Sequence, residues 1–351
     1  MWAHLIRPLL FLFDAERVHY FSMGVFAFFL RWAWARRLVR RFTLADDPRL
    51  KTTLLDLELP SPVGLAAGFD KNARWYNELA ALGFGFVEVG TLTAHAQPGN
   101  EKPRLFRLPA DRAVLNRFGF NNDGAAAAAD RIRKTPAECV LGVNIGKSKI
   151  TPNEAAVEDY LSSLRAVQAC ADYLVVNVSS PNTAGLRDLQ AEEPLRQLLG
   201  ALVAENRRLS EERGARRPPL FVKVAPDMED AQIVASVALV RELGVDGIVC
   251  TNTTISREGL RTPAARIEAL GAGGVSGAPL TARSLAFVGR VCELAAGEFP
   301  VIGVGGVMEP GDAIRMLEAG ATAVQLYTGF IYGGPLIVRR MNRAILAHRS
   351  A

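Results

Sequence analysis

The sequence is poor in the residues that build metal sites and disulfide frameworks, with four cysteines and four histidines among 351 residues. The cysteines show no CxxC spacing and do not cluster with the histidines as zinc ligands do. We therefore predict no metal site, and we expect free, buried thiols in a reducing compartment. The four are Cys139, Cys170, Cys250 and Cys292.

The N-terminal segment, residues 1–45, is aromatic but lacks a long hydrophobic run. Its longest stretch without a formally charged residue covers residues 18–30. That is shorter than the roughly 20 residues that a transmembrane helix needs. The apolar run after Arg7 meets Asp14 with no small-residue cleavage pattern, which does not fit a signal peptide. We expect neither a membrane span nor export.

Most of the chain also lacks net charge. The overall charge of +5 equals that of residues 1–45, where seven arginines face Asp14 and Glu16, so residues 46–351 sum to zero. The body therefore has no basic surface for nucleic acid. Residues 1–45 predict two short helices, about 8–17 and 21–40, that lie in a bilayer interface with arginines on anionic head groups. The alternative is that their aromatic side chains cap the protein core.

Beyond Pro60, short apolar strands alternate with turns and helix-length segments, which is typical of a parallel sheet with helical crossovers. Eight such units predict an α/β fold, a (β/α)8 TIM barrel formed by residues 46–351. The small α-helical segment 1–45 would be attached to it and associate with the membrane. Helices are predicted over 154–170, 192–212, 229–243, 281–296 and 311–319. The predicted strands are 63–67, 85–90, 140–144, 174–178, 220–223, 247–250, 301–303 and 323–326.

Every predicted strand ends in polar residues or glycine. A TIM barrel carries its chemistry at the carboxyl ends of its strands, so these residues would share one rim. A rim that is merely solvated would favour glutamate and lysine, whereas Asn, Thr and Gly dominate here, which indicates a ligand site. The rim consists of Asp70, Lys71, Thr91, Asn144, residues 177–182, Lys223, residues 251–254, Gly305, Gly306, Tyr327 and Thr328.

Glycine-rich stretches late in the chain predict a phosphate site. Gly277 and Gly306 would let backbone N–H groups approach a phosphate closely, and Thr328 would add a hydroxyl. A GxGxxG fingerprint is lacking, and residues 142–148 miss the Walker A spacing by one residue. Lys223 would stabilise an anionic ring and Lys71 a carboxylate, with salt bridges to nearby acids as the alternative.

A long connection separates the second and third predicted strands, and connections of this length are usually functional. It places Asn116, Asn121 and Asn122 around Phe118 and Phe120. Amides on the edge of a flat polar ring and aromatics on its faces would form a clamp. Asparagines are equally common in turns, so both interpretations stay open.

Seven sequence blocks together resemble the dihydroorotate dehydrogenases, the flavin enzymes of pyrimidine synthesis, and in particular their membrane-associated, quinone-using class 2. The resemblance extends from the N-terminal segment to about residue 340. The blocks are AAGFDK (66–71), GFGFVEVGT (83–91), NRFGF (116–120), NVSSPN (177–182), GVSG (274–277), GVGG (303–306) and QLYT (325–328).

The resemblance implies oxidation of (S)-dihydroorotate to orotate with FMN as cofactor, in the synthesis of UMP. It assigns Ser180 as the base that takes the C5 proton while hydride passes from C6 to flavin N5. Class 1 relatives have a cysteine at this position, so Ser180 also marks the class. The implied FMN contacts are Ala67, Gly68, Lys71, Thr91, Asn144, Asn177, Lys223, Thr251, Gly277, Gly306, Tyr327 and Thr328. The implied substrate contacts are Lys71, Asn116, Arg117, Phe118, Gly119, Phe120, Asn177, Asn182, Asn252 and Thr253.

The resemblance also implies that a membrane quinone accepts the electrons. The quinone head would be contacted by His19, Arg107 and Tyr327. The alternative for His19 is a place on the surface, or in the core with its hydrogen bonds satisfied by the protein. The expected location is peripheral, on the cytoplasmic side of the cell inner membrane, with residues 1–45 on the membrane surface and no nucleic-acid partner. A monomer is compatible with the sequence, which leaves the oligomeric state open.

Three other functions remain open at this point. One is another FMN barrel, either a soluble class 1 dihydroorotate dehydrogenase or a dihydropyrimidine-type reductase. Another is a phosphosugar isomerase or a different non-redox phosphate-binding barrel, which would bind no chromophore. The last is a membrane-peripheral scaffold without catalysis.

Overall fold

The strands of the protein form one closed barrel and two small antiparallel sheets. A computed structural model describes residues 2–44 and 47–350, so the predicted boundary between residues 45 and 46 lies outside the described residues. In chain order the strands are β1 (Thr52–Leu54), β2 (Leu57–Leu59), β3 (Val63–Leu65), β4 (Phe86–Leu92), β5 (Leu105–Leu108), β6 (Ala113–Asn116), β7 (Val140–Ile145), β8 (Tyr173–Asn177), β9 (Leu220–Val224), β10 (Gly247–Cys250), β11 (Gly274–Gly277), β12 (Val301–Val304) and β13 (Ala323–Leu326).

The barrel confirms the predicted TIM fold. Eight parallel strands close in the order β3-β4-β7-β8-β9-β10-β12-β13, and β13 pairs back onto β3. Each strand end lies within two residues of its predicted position. The strands are buried on both faces because helices surround them, which explains their continuous apolar runs. All four cysteines are free, with Cys250 buried and the others partly buried.

The bottom of the barrel is closed by the β1–β2 hairpin, which the sequence analysis missed. Its side chains Leu54, Leu57 and Leu59 are buried in the same cluster as Tyr173 in the barrel interior. The neighbouring strand carries Gly142 because a Cβ there would lie 2.1 Å from the Tyr173 ring. The segment that resembles a Walker A loop is therefore a barrel strand and the turn that follows it.

The long connection after β4 was predicted to be a loop. It instead contains two strands, β5 and β6. These strands pair antiparallel with each other, and β6 also pairs with β11. The glycine-rich segment Gly274–Gly277 is thus a strand in register with Asn116, so that it packs over the carboxyl ends of the barrel strands. Local sequence did not reveal this sheet because its partners lie about 160 residues apart in the chain.

Helices surround the barrel, and one further helix closes the chain. They are α1 (Arg7–Phe11), α2 (Ala15–Leu30), α3 (Ala33–Thr43), α4 (Tyr76–Ala80), α5 (Ala125–Lys134), α6 (Ala156–Val167), α7 (Glu192–Arg213), α8 (Asp230–Leu243), α9 (Ala264–Leu270), α10 (Thr281–Ala295), α11 (Pro310–Glu318), α12 (Thr328–Gly333) and α13 (Ile337–Arg349). A single π-helical turn, Trp2–Ile6, precedes α1.

The predicted bounds of the N-terminal helices, 8–17 and 21–40, are wrong. Asp14 begins a new helix because its Oδ1 accepts the N–H of Arg17 at 2.8 Å, a typical N-cap. The second break lies at Trp32, where the backbone is extended. Arg36 holds this break by donating to the carbonyls of Leu30 and Arg31, each at 2.9 Å. In the described residues, no helix is long and apolar enough to cross a membrane.

Candidate active site

A cavity of about 970 Å³, counted with the open solvent at its mouth, lies at the carboxyl ends of the barrel strands. This is the end at which TIM barrels place their chemistry. The sheet of β5, β6 and β11 covers one side of it. Most predicted site residues line this cavity, namely Ala67, Gly68, Lys71, Thr91, Asn116, Phe118, Gly119, Phe120, Asn177, Ser180, Asn182, Lys223, Thr251, Asn252, Thr253, Gly277, Gly306, Tyr327 and Thr328.

Two predicted contacts do not line the cavity. The Asn144 side chain lies one layer behind it, where its Oδ1 accepts from Thr91 Oγ1 at 2.6 Å and from Asn177 Nδ2 at 3.2 Å. It therefore orients two cavity residues. The Arg117 guanidinium points away and donates to the carbonyl of Ala272 at 2.9 Å, so this side chain holds the turn before β11.

One end of the cavity is a cradle of backbone and hydroxyl groups. The two glycines have left-handed backbones, with φ of +104° at Gly277 and +68° at Gly306. A Cβ on Gly306 would lie 2.2 Å from the Thr281 Cα, so the backbone has room here only without a side chain. Beside them, Thr328 Oγ1 and Ser276 Oγ are 2.8 Å apart. Such a concave set of backbone and hydroxyl groups suits a phosphate.

A buried lysine lies at the floor of the cavity. Lys223 is 4 % exposed at the end of β9, and in the described part of the chain its ammonium has no carboxylate within salt-bridge distance. Burial lowers the pKa of Lys223, while the more distant charge of Glu88 acts in the opposite direction. The predicted salt-bridge alternative therefore does not hold for Lys223. A positive group fixed in this way stabilises negative charge that develops on a bound ring.

The sequence analysis missed Glu88, a fully buried carboxylate beneath this floor. It accepts hydrogen bonds from Asn144 Nδ2 at 2.8 Å, from Gln325 Nε2 at 2.6 Å and from the Tyr173 hydroxyl at 3.3 Å. Buried charge is costly unless it is hydrogen-bonded in this way. The one available signal was a glutamate inside the apolar run of β4.

Lys71 also lines this cavity, beside the clamp that was predicted around Phe118. Its Nζ is 3.8 Å from the centre of the Phe118 ring and donates to the carbonyl of Gly68. Burial lowers the pKa of Lys71 to about 7; the charge of Glu16 opposes this shift and that of Arg104 adds to it. The ammonium is thus easily neutralised until an anion binds beside it.

The amides of the predicted clamp divide between binding and structure. Asn116 Oδ1 accepts from Asn182 Nδ2 at 3.2 Å, which orients both amides at the cavity wall. Asn122 instead holds its own loop, where its Nδ2 donates to Thr93 Oγ1 at 2.8 Å. Asn121 likewise does not line the cavity. Neither of these two asparagines lines the cavity, and Asn122 is the one whose side chain holds its own loop.

Ser180 lies in the loop after β8 and is 5 % exposed on the cavity wall. Its Oγ accepts the backbone N–H of Asn182 at 3.2 Å. Among the described residues, no histidine, lysine or carboxylate hydrogen-bonds this hydroxyl. Near this loop, Thr253 Oγ1 on the cavity wall and Thr183 Oγ1 on the Ser180 loop are buried hydroxyl oxygens without a hydrogen-bond partner in the described residues. Unpartnered buried hydroxyls indicate room for a polar ligand or water.

A second cavity of about 810 Å³, counted with the open solvent at its mouth, lies between the N-terminal helices and the barrel, and its lining is mostly apolar. This cavity is lined by His19, Arg107 and Tyr327, the three residues that were predicted to form one site. Tyr327 lines the first cavity too, so the two cavities share this residue in their walls. The cavity lies between α2, β5 and α12.

His19 and Arg107, two polar residues of this second cavity, are held by neighbouring groups. The His19 ring packs edge-on against Phe69 at a centroid distance of 4.7 Å, and burial lowers its pKa to about 3, so it is neutral. Arg107 donates to the carbonyl of Phe13 at 2.7 Å, and burial lowers its pKa as well. His19 is thus partly buried at a cavity wall.

Helix α2 is fastened over this cavity by a buried ion pair. Glu16 and Arg104 are each 5 % exposed, and their side chains form two hydrogen bonds of 2.8 and 3.1 Å. The outer faces of α2 and α3 expose large aromatic side chains instead of burying them. These are Phe21, Phe28, Phe29, Trp34 and Phe42, each more than half exposed.

Comparison with known proteins identifies relatives over almost the whole chain. The family model described as dihydroorotate dehydrogenase matches residues 49–348. A protein of Christiangramia forsetii named dihydroorotate dehydrogenase (quinone) is 48% identical over 346 residues, which are 99% of each chain. A protein of the same name from Chloroflexus aurantiacus is 50% identical over 349 residues, covering 98% of this chain and 95% of the relative.

Solved structures agree with this assignment. The crystal structure of DHODH from Eimeria tenella in complex with ferulenol superposes with a TM-score of 0.85 at 38% identity, and the match covers 95% of this chain and 91% of that one. The ligand-free structure from the same organism gives a TM-score of 0.80 at 40% identity, over 90% and 93% of the two chains. The likeness thus includes the N-terminal segment as well as the barrel.

Proposed function

Because this chain belongs to the dihydroorotate dehydrogenase family and is an oxidoreductase of its quinone-dependent class, we propose that it oxidises (S)-dihydroorotate to orotate with FMN as cofactor and a membrane quinone as acceptor. The observation that carries the proposal is that a polar cavity and an apolar cavity share Tyr327 as a wall. A water-soluble substrate and a lipid-soluble acceptor would then reach one cofactor from two sides. The reaction belongs to UMP synthesis.

The polar cavity fits FMN. The cradle at Gly277 and Gly306 would take the phosphate, and Lys223 would lie against the ring. Gln325 Oε1 is a buried acceptor without a partner in the described part of the chain, next to the same floor. FMN supplies a two-electron acceptor when bound. The protein's part is to hold it in place and to stabilise its reduced, more negative form through Lys223.

The substrate would lie on the side of the cavity that carries Lys71. The ammonium of Lys71 would pair with the carboxylate, and the amides of Asn116, Asn177 and Asn182 would bind the polar ring edge. The Thr253 hydroxyl, which has no partner in the described residues, would form a hydrogen bond with the same ligand.

Ser180 would take the proton from the substrate ring. No stronger base contacts its hydroxyl in the described residues, so the Asn182 N–H bond at 3.2 Å is what orients the oxygen. Ser180→Ala is expected to slow flavin reduction by roughly 10²–10⁴-fold, the range for a lost acid–base group. Single-turnover reduction by dihydroorotate measures this, with Ser163→Ala as the matched control. The Ser163 hydroxyl is buried, has no hydrogen-bond partner in the described residues and does not line the cavity. A normal rate in Ser180→Ala would remove Ser180 from the mechanism.

The apolar cavity would admit the quinone. His19 and Arg107 would contact its carbonyl oxygens, with His19 acting as a neutral hydrogen-bonding group because its pKa is about 3. The exposed aromatics of α2 and α3 would enter the bilayer interface, where Trp and Phe are favoured, beside the arginines of α3. These side chains support a peripheral position on a membrane surface, and the cytoplasmic side of the cell inner membrane is the location that we propose for it.

Vesicle binding tests the membrane contact. Replacing Phe28, Phe29, Trp34 and Phe42 by serine should abolish cosedimentation with vesicles that contain anionic lipid, because all four side chains are exposed. Ile150→Ser is the matched control, since Ile150 is 76% exposed outside this segment. Equal binding of the two variants would contradict the proposed surface.

A further inference from the structure

Arg187 connects three loops at the rim of the polar cavity. It lies in the 3₁₀ turn Leu186–Gln190, at the end of the loop that carries Ser180. Its Nε donates to the carbonyl of Ser179 at 3.0 Å, its Nη2 to the carbonyl of Thr253 at 3.0 Å, and its Nη1 to Asp227 Oδ2 at 2.9 Å. The three partners follow three neighbouring barrel strands, β8, β10 and β9.

Two of these partners are backbone carbonyls beside proposed substrate contacts. The Ser179 carbonyl belongs to the peptide that joins Ser179 to Ser180, so the bond from Arg187 fixes the orientation of that peptide plane. The bond to Thr253 likewise fixes the chain at the unpartnered Thr253 hydroxyl. The same two loops are joined once more where Asn252 Nδ2 donates to Ser179 Oγ at 2.9 Å.

The third partner, Asp227, is itself held in place. It accepts from the backbone N–H of Ile255 at 3.1 Å, from the Thr254 hydroxyl and from Arg283 at 2.8 Å. Its side chain is 13% exposed and that of Arg187 21%, so the ion pair is partly shielded from solvent. Arg187 therefore binds to a fixed anchor, and its planar guanidinium suits several directed bonds at once, which lysine cannot reproduce.

We propose that Arg187 is a positioning residue of the dihydroorotate half-reaction, which holds Ser180 and Thr253 in register with each other across the cavity. This inference rests on the proposed function. Arg187 does not line the cavity, and it acts only through the two carbonyls. A displacement of about 1 Å in such a site costs on the order of 10² in rate.

Arg283 provides a matched control. It binds the same carboxylate, through Asp227 Oδ1 at 2.8 Å, and it also reaches Thr254 Oγ1 at 3.2 Å. Its side chain is 44% exposed and makes no hydrogen bond to the Ser179 or Thr253 carbonyl. Replacing Arg283 by alanine removes one positive partner of Asp227 and leaves the contacts of the Ser180 loop intact.

The test measures the two half-reactions separately in the FMN-loaded proteins under anaerobic conditions. Arg187→Ala should slow flavin reduction by dihydroorotate about tenfold to a hundredfold and leave reoxidation by a soluble quinone analogue within twofold of wild type. Arg283→Ala should leave both rates within twofold. Orotate binding, measured by calorimetry, should weaken in Arg187→Ala and stay unchanged in Arg283→Ala. Added guanidinium ion should restore part of the reduction rate in Arg187→Ala only.

Several results would overturn the inference. Equal slowing of reduction in the two alanine variants would show that only the charge near Asp227 matters. Slowing of both half-reactions together in Arg187→Ala would show general damage to the protein. Arg187→Lys covers the case in which the alanine variant does not fold, and a normal reduction rate in it would also contradict the role. If dihydroorotate does not reduce the wild-type protein at all, the proposed function itself fails. That result is independent of the Arg187 and Arg283 variants, so the two failures can be told apart.

Discussion

The affinity for orotate should depend on pH through Lys71. The Lys71 side chain is partly buried beside Phe118, and the desolvation there lowers its pKa to about 7. Lysine is charged below its pKa and neutral above it, whereas the carboxylate of orotate stays ionised throughout this range. The attraction between the two is therefore present below pH 7 and is lost as the pH rises through about 7.

The size of the effect follows from the charged fraction of Lys71. With a pKa of about 7, that fraction falls from roughly 0.9 at pH 6 to roughly 0.1 at pH 8, a tenfold change worth about 1.4 kcal/mol. The dissociation constant of orotate should rise by about that factor over the same two pH units, and binding near pH 7 should take up a fraction of a proton.

Calorimetry in buffers of different ionisation enthalpy measures both quantities. Lys71→Arg is the control, because arginine stays charged over the whole range and its variant should bind orotate with little dependence on pH. An orotate affinity that does not change between pH 6 and pH 8 would refute the reasoning. An equal pH dependence in Lys71→Arg would also refute it, since the titrating group would then lie elsewhere.

Two other substitutions test the cofactor cradle and the fastening of α2. Gly306→Ala places a Cβ 2.2 Å from the Thr281 Cα and should yield protein with little FMN; a normal ratio of FMN to protein would contradict the cradle. Glu16→Gln leaves the buried Arg104 without a counter-charge and should cost about 3–5 kcal/mol of stability, seen as a lower midpoint of thermal unfolding. Lys102→Ala removes only an exposed partner of Glu16 at 3.6 Å and should change that midpoint little.

The sequence predicted the barrel and most of its rim because both depend on local pattern. A β-branched run such as that before Asn177 predicts a buried strand, and the polar residue that ends it must lie at the carboxyl rim. Ser180 and Lys223 could be placed on the cavity wall for this reason. The roles of these residues came from the family resemblance and not from their positions.

The features that the sequence did not predict depend on contacts between distant segments. The break at Trp32 is held by Arg36, whose ion pair with Glu138 joins residues about 100 positions apart. The two halves of the Glu16–Arg104 pair are similarly remote, and neither residue looks unusual by itself. Arg187 had no local signal either, because its importance lies in the carbonyls that it reaches.

The central claim is that one protein accepts electrons from dihydroorotate at the polar cavity and releases them to quinone at the apolar one. An anaerobic visible spectrum tests this most directly. Dihydroorotate should bleach a flavin band of the purified protein, and a soluble quinone analogue added afterwards should restore the band. A colourless protein, a flavin band that dihydroorotate does not bleach, or reoxidation by fumarate or NAD but not by the quinone would contradict the account.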